Sequence, residues 1–379
     1  MNSELKKKNL FLSPYCAELF GREMTEKLIQ DFNEANPDIR LQFLNIPDEK
    51  NREPDIYIFD ETEYRILLSS GVLAELNSYV EIEMKTRQYA VPLVSFMDML
   101  FYNIELLSAA GFDRPPKTRE DFLSYAKTVS NNSNVRRAYL SGAALSLSPE
   151  DKLALSRDIF SWMWAAGGDF WNGESAPVLN TRAAIADLLF FGSLYNEGAL
   201  AHDVFETTGE QRLEEFSRGR ISMIIGSIRD IPFLRERMGD NVFGITTIPV
   251  SNSAGKYKFS LSSIYAGINS KSAHPDAAWG FIEFLTCQHQ LFIDVFSHVS
   301  GVASYLIPGE SITDDPFYSK ARDIFESSNI VRSFSGNPNA QEYEDVYMEE
   351  LLVFLNGGQT AQEAVNAIQK RWEQINAPR

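Results

Sequence analysis

The chain has 379 residues, 44% of them apolar and 12% aromatic, which is enough to bury a sizeable core and, by length, favours two domains over one. Its 35 basic against 52 acidic side chains leave a formal charge of −17, which repels nucleic acid and anionic lipid at long range and argues against both as partners. Two cysteines, Cys16 and Cys287, are too few for a disulfide framework, although a single bridge stays open.

No stretch reaches the roughly 18 consecutive apolar residues that a membrane-spanning helix needs. The opening MNSELKKKN lacks the apolar centre of a secretion signal, and its basic run Lys6-Lys7-Lys8 reads as a solvated tail.

LFLSPY reads as a short buried strand broken at Pro14. The next segment is a helix in which Met24, Leu28 and Phe32 share one face, Ala35 widens the stripe and Asn36-Pro37 ends it. Ile39, Leu41 and Phe43 alternate with polar residues as a half-buried strand does, and Ile56 to Phe59 is apolar throughout, as when helices cover both faces of a parallel sheet. A helix from Thr62 to Ser70 stops at Gly71. An extended run through Pro92 closes on Tyr102-Asn103. A short helix stopped by Gly111, a Pro-Pro turn and a helix capped at Thr118 follow it.

Further on, helices are expected over Leu153 to Ala166, Thr181 to Asn196 and Glu210 to Arg218, each followed by glycine. Strands are expected at Ile221 to Ile225, Val242 to Thr247 and Ile264 to Asn269. Pro275 opens a helix over Asp276 to Leu285, and Glu342 to Leu355 and Ala361 to Ile375 flank Asn356-Gly357-Gly358. Strands alternating with helices over short connections make the fold class α/β.

Seven blocks carry a family resemblance in order along the chain. Those of the first half are FNEANPDIRL, EPDIYIFDE with LLSSGVLAELNSYV, and YAVPL with LFYNIELLSAAGFDRPPKTREDF. Those of the second half are WMWAAGGDFWNGESAPVLNT, EEFSRGRISMIIGSIRDIPFL, YAGINSKSAHPDAAWGFIEFL and LNGGQTAQEAVNAIQKRW. Together they resemble family 1 extracellular solute-binding proteins, the carbohydrate-type receptors of ABC importers, with a maltose-binding-protein-like architecture.

That resemblance implies a two-lobe periplasmic-binding-protein-like fold of type II, hinged around a central ligand cleft. Crossings near Phe96, Leu261 and Pro308 would assign 1–95 and 261–307 to the N-terminal lobe, and 96–260 and 308–379 to the C-terminal lobe. It also implies an extracytoplasmic protein, in the periplasm or lipid-anchored, whose leader is absent from this sequence. The implied partners are a small carbohydrate-like ligand and the permease subunits of an ABC importer. The protein is expected to be monomeric, with no cofactor.

Sugars present hydroxyls at the ring edge and apolar C–H faces, so their sites combine carboxylates, amides and arginine with aromatic plates. Ser13, Tyr15 and Glu18 follow one strand, and Asp60 and Glu61 follow another; Asp60 serves equally well as a helix N-cap. Among Phe160, Trp162, Trp164, Phe170 and Trp171, residues two apart on a helix are about 200° apart, so Trp162 and Trp164 face opposite ways. Trp162, Phe170 and Trp171 are taken as the ligand-facing rings and Trp164 as core.

Departures from the family pattern matter as well. Phe96 stands where maltodextrin receptors carry an acid, Ser227-Ile228-Arg229 replaces a Ser-Trp, and Ser262-Ser263 replaces a Gly-Gly before Tyr265. Tyr343, Glu344 and Tyr347 occupy a region where tryptophan is expected. These departures disfavour maltodextrin and leave a smaller or differently decorated sugar. Arg229 either grips an acidic or phosphorylated solute, such as a glycerophosphodiester, or pairs with Asp230.

Catalytic machinery is hard to find. His202, His274, His289 and His298 lack metal-ligand spacing, and Ser253-Ala254-Gly255-Lys256 matches a Ser-x-x-Lys motif only formally. A carbohydrate-processing enzyme using Asp60 and Glu61 remains the alternative, as does a chemotaxis or sensing receptor of the same fold.

Overall fold

The computed structural model describes residues 7–44, 53–79, 88–131, 140–151, 153–171, 177–179, 181–250, 257–287, 315–334 and 336–377. Lys6, His289, His298, the crossing near Pro308 and the Ser-x-x-Lys turn at 253–256 lie outside them. The chain divides into two compact units. Unit 1 comprises Met1–Ser95, Ser262–Gly309 and Phe334–Ala340; unit 2 comprises Phe96–Leu261, Glu310–Ser333 and Gln341–Arg379.

In unit 1, β1 (Lys8–Leu12) lies parallel to both β2 (Ile39–Phe43) and β3 (Ile56–Phe59). The strand β8 (Leu261–Ile268) then runs antiparallel to β3, with Tyr265 opposite Phe59. Ile39 and Leu41 are buried while Arg40 is exposed, and Ile56, Ile58 and Phe59 are buried, so the sequence periodicity reports the covered faces.

The expected first helix is two: α1 (Tyr15–Phe20) and α2 (Arg22–Ala35), broken at Gly21, whose φ of 79° suits only glycine well. Leu28 and Phe32 are buried as expected. Ala35 is exposed, and Thr25 completes the stripe by donating its hydroxyl proton to the Gly21 carbonyl at 2.8 Å. Phe32 packs edge-on to Phe281 at 5.2 Å, joining α2 to α10 (Pro275–Thr286). Cys16 is buried and Cys287 exposed; both are free, and burial pushes the Cys16 thiol up to about 12.

Unit 2 is organised on β4 (Val91–Asn103), which enters it at Phe96 and pairs antiparallel with β5 (Met223–Ser227) and β6 (Phe243–Thr246). Ile221, expected within β5, makes only an isolated parallel bridge to Ser141. Asn103 caps α4 (Ile104–Ala109) and Thr118 caps α5 (Arg119–Ser130) through side-chain oxygens that accept helix N–H groups. The helix expected from Leu153 instead opens with a π-helical turn, Ser156–Phe160, followed by α6 (Ser161–Ala165).

Next come α7 (Arg182–Asn196), α8 (Gly209–Ser217) with a Thr208/Gln211 capping box, and α9 (Ile231–Met238). After them come α11 (Pro316–Ser327), α12 (Ala340–Leu355) and α13 (Ala361–Ile375). The indole N–H of Trp372 on α13 donates to the Tyr343 carbonyl on α12 at 2.9 Å. A small parallel pair, β7 (Lys258–Phe259) with β9 (Asn329–Ile330), completes the unit.

Candidate functional site

In unit 1 the last residue of β1, Leu12, lies parallel beside the first of β3, Ile56, so the segment with Ser13 and Tyr15 leaves β1 where β3 begins, and Asp60 and Glu61 follow the end of β3. Binding residues belong at such strand ends because the loops there are free of the ladder. Ser13 is already engaged: its hydroxyl oxygen accepts the Ile58 N–H at 3.0 Å. Tyr15 is half-buried and Glu18 is exposed on α1. Asp60 is the N-cap of α3 (Glu61–Ser69), its Oδ1 accepting from Thr62 N at 2.9 Å and Glu63 N at 3.0 Å.

Glu61 is buried at 4% exposure, and the Tyr265 hydroxyl donates to its Oε2 at 2.9 Å. The register of β8 against β3 makes this contact possible by setting Tyr265 beside the end of β3. Ser263 is hydrogen-bonded to Tyr265, and its hydroxyl lies 2.7 Å from that of Ser95. Burial first, and the Glu61 charge second, raise the Tyr265 phenol well above its ordinary range. The Tyr265 ring packs 4.8 Å from Tyr64 and 6.0 Å from Phe59. Ser262 is half-buried on the same strand.

Glu63 is a carboxylate that the sequence did not single out. Burial, then the charges of Asp60 and Glu18, push it up, so three acids share this edge of unit 1.

In unit 2 the corresponding edge is the start of its β4 segment and the end of β5. Asp98 faces Ser227 across the ladder. The Ser227 N–H donates to Asp230 Oδ2 at 2.9 Å, and the Ser227 hydroxyl oxygen accepts from Arg229 N at 3.2 Å, a reciprocal cap on the 3-10 turn Ile228–Asp230. Arg229 is exposed, with its guanidinium 5.7 Å from the Phe96 ring centroid, and its charge also acts on Asp230. Phe96 is itself only 2% exposed.

Asp98 is the main residue the sequence reading missed at this edge. Its visible signal was a lone acid inside the apolar strand VPLVSFMDMLFYN. Burial pushes its carboxyl up to about 7, with Arg157 and Arg212 pulling down and Asp230 and Asp158 pushing up.

Behind it lies a buried ionic network. Arg157 reaches Asp151 at 2.7 Å and Asp158 at 2.9 Å, and Arg212 pairs with Asp158 and donates to the Ile225 carbonyl at 2.7 Å. Gly209 lies close against this network: a Cβ would meet the Arg157 guanidinium at 2.7 Å and force it to shift, and the Gly209 N–H donates to Asp151 at 2.7 Å. Although burial pushes Asp151 upward, Arg157 holds its carboxyl below the usual range.

The expected aromatic plates are corrected by the packing of unit 2. Trp162 has no exposed surface and sits 4.8 Å from Phe122 and 5.1 Å from Phe190, so α5 and α7 cover it. Trp164 faces the other way, toward Phe160 and Phe170 at 6.1 and 6.0 Å, and is equally buried. The opposition of their faces therefore holds, but both faces are core. Phe170 is enclosed by Phe160 and Trp372, and Tyr343 is enclosed with its hydroxyl donating to Asn376 at 2.6 Å. Trp171 is half-buried, with Arg332 over its ring at 4.3 Å.

A separate cavity of about 740 Å³ on unit 2, lined by Asp203, Glu206, Glu210, Glu214 and Phe233 among others, contains none of these residues.

Residues 21–286 match the family of bacterial extracellular solute-binding proteins. The chain belongs to that family. A Brucella abortus protein described as a binding protein is 20% identical over 292 residues, covering 69% of this chain and 67% of that one.

Among solved structures, the cyclic α-maltosyl-1,6-maltose binding protein of Arthrobacter globiformis superposes with a TM-score of 0.75 at 16% identity, covering 97% of this chain and 99% of that one. The GacH receptor of Streptomyces glaucescens, studied unliganded and with acarbose, gives 0.72 at 14%, covering 97% and 98%. An Agrobacterium radiobacter ABC transporter solute-binding protein in complex with ribitol gives 0.68 at 19%, covering 98% and 99%. At these identities the likeness establishes the fold: the mixed α/β architecture of two-lobe binding proteins. Among the described residues, no helix of this solute-binding protein is long and apolar enough to cross a membrane.

Proposed function

We propose that this solute-binding protein takes up a carbohydrate or polyol and passes it unaltered to the permease of an ABC importer. The observation that carries the reading is the match of residues 21–286 to bacterial extracellular solute-binding proteins. Carboxyl groups at the strand ends of each unit supply acceptors for hydroxyls. The fold is one whose other members have been solved with acarbose and ribitol.

Absence of chemistry is part of the same proposal. Asp60 is spent on the α3 N-terminus and Glu61 accepts from a tyrosine, which leaves this pair poorly placed for glycosidic acid–base work. The family's extracellular character and the net charge of −17 support a monomer acting outside the cytoplasm, in the periplasm or lipid-anchored, without nucleic acid as a partner.

A thermal-shift panel of maltose, mannobiose, tagatose and ribitol tests the reading. A ligand that binds only the native state raises its melting temperature, by an amount that grows with concentration. A flat response across carbohydrates and polyols at millimolar concentration would reject it.

A further inference from the structure

Asp98 is anomalous among the acids of unit 2. Asp158 is paired with Arg157 and Arg212, Asp151 with Arg157, and Asp230 accepts the Ser227 N–H. Among the described residues, no group donates a hydrogen bond to the Asp98 carboxyl, although it is only half-buried and therefore within reach from outside. A carboxyl drawn partly out of water with no donor is disfavoured unless something else supplies one.

Among the described residues, the charged groups that act on it are engaged with other partners. Arg157 and Asp158 come from the π-helical turn, Arg212 from α8, and Asp230 from the 3-10 turn after β5. Tyr257, before β7, lies close enough to feel the Asp98 charge, and its hydroxyl oxygen accepts the Ile248 N–H at 3.2 Å, but no hydrogen bond joins it to Asp98. The two arginines thus lower the cost of a negative charge at Asp98 without filling its acceptor positions.

We propose that Asp98 is a solute-contacting carboxyl, that it accepts hydrogen bonds from hydroxyl groups of the bound carbohydrate or polyol, and that it releases a proton to solvent when they arrive. This rests on the carbohydrate reading above and extends it by naming the group in unit 2 that selects for hydroxyl donors. The direction of proton flow follows from the strength of hydroxyl bonds to an ionised carboxylate, about twice that of neutral ones. Burial pushes the carboxyl up to about 7, so a solute that favours the ionised form drives the proton off at neutral pH. Solutes lacking hydroxyl donors gain nothing from this group.

The test is isothermal titration of the full chain with whichever of maltose, mannobiose, tagatose and ribitol protects it thermally. It is run at pH 7 in phosphate and in Tris, whose ionisation heats differ. The expected results are buffer-dependent heats that report proton release, and affinity about twentyfold weaker at pH 5.5 than at pH 7.5. Asp98→Asn, close to isosteric, is expected to weaken binding tenfold or more and to abolish both the buffer and the pH dependence. The proton count on the unmodified protein needs no variant to fold. Buffer-independent heats, proton uptake, or an Asp98→Asn protein that binds as the parent does would overturn the assignment while leaving the carbohydrate reading intact. If none of the four solutes binds the unmodified protein, both fall together.

Discussion

Tyr265 and Glu61 are 204 residues apart in sequence, yet the phenol donates to the carboxylate at 2.9 Å in the interior of unit 1. The contact exists because β8 returns antiparallel beside β3 and places Tyr265 opposite the last residue of that strand. Tyr265→Phe keeps the ring packing against Tyr64 and removes the donor. It should cost about 1–3 kcal/mol of stability, the usual penalty for depriving a buried acceptor of its partner. Urea denaturation of the two proteins checks this, and equal midpoints would mean that the bond contributes little.

Trp162→Ala should behave as a core deletion, with a loss of about 3–5 kcal/mol, because Phe122 and Phe190 cannot close over so large a void. Denaturation midpoint and carbohydrate affinity are both read. A variant of native stability that had lost its affinity would restore the tryptophan to the role of a ligand plate.

Asp158→Ala should be among the most damaging single changes in unit 2. It strands Arg212 and removes one of the two acids held by Arg157 in a buried setting, where breaking a pair costs about 3–5 kcal/mol. Thermal unfolding measures the loss. A shift within error of zero would show that water or rearranged acids replace the partner freely.

The pH dependence of stability has a definite sign at Asp98. A carboxyl raised to about 7 binds its proton more tightly in the folded state than in the unfolded one, where it titrates near 3.8. Its contribution is therefore fully present below about pH 4 and is lost as pH rises toward and through 7. Asp98→Asn should flatten the fall in stability between those limits and leave the variant relatively more stable at pH 8. Parallel stability–pH curves for the two proteins would contradict this.

Much of the scaffold was legible because it depends on local chemistry. The Thr118 cap, the stop at Gly111 and the two helices around Asn356-Gly357 follow from side-chain oxygens, positive φ and periodicity within a few residues. Asp60 was legible as a cap for the same reason. The aromatic assignments were less legible, because whether Trp162 meets ligand or core depends on α7, and nothing in its own helix announces the arrival of Phe190. The Arg157–Asp158–Arg212 network was hidden likewise, since its partners come from separate segments and its π-helical turn has no sequence signature of its own. Asp98 left one readable trace, a charge inside an apolar strand, whose meaning emerged only with its surroundings.

Titrating the purified chain with the same four carbohydrates and polyols, then recovering the solute from the complex for chromatography, tests the central claim most directly. Saturable binding of at least one, at one solute per chain, with the solute recovered unchanged after prolonged incubation, is the predicted result. Either no binding across the panel or the appearance of a cleaved or modified product would contradict it.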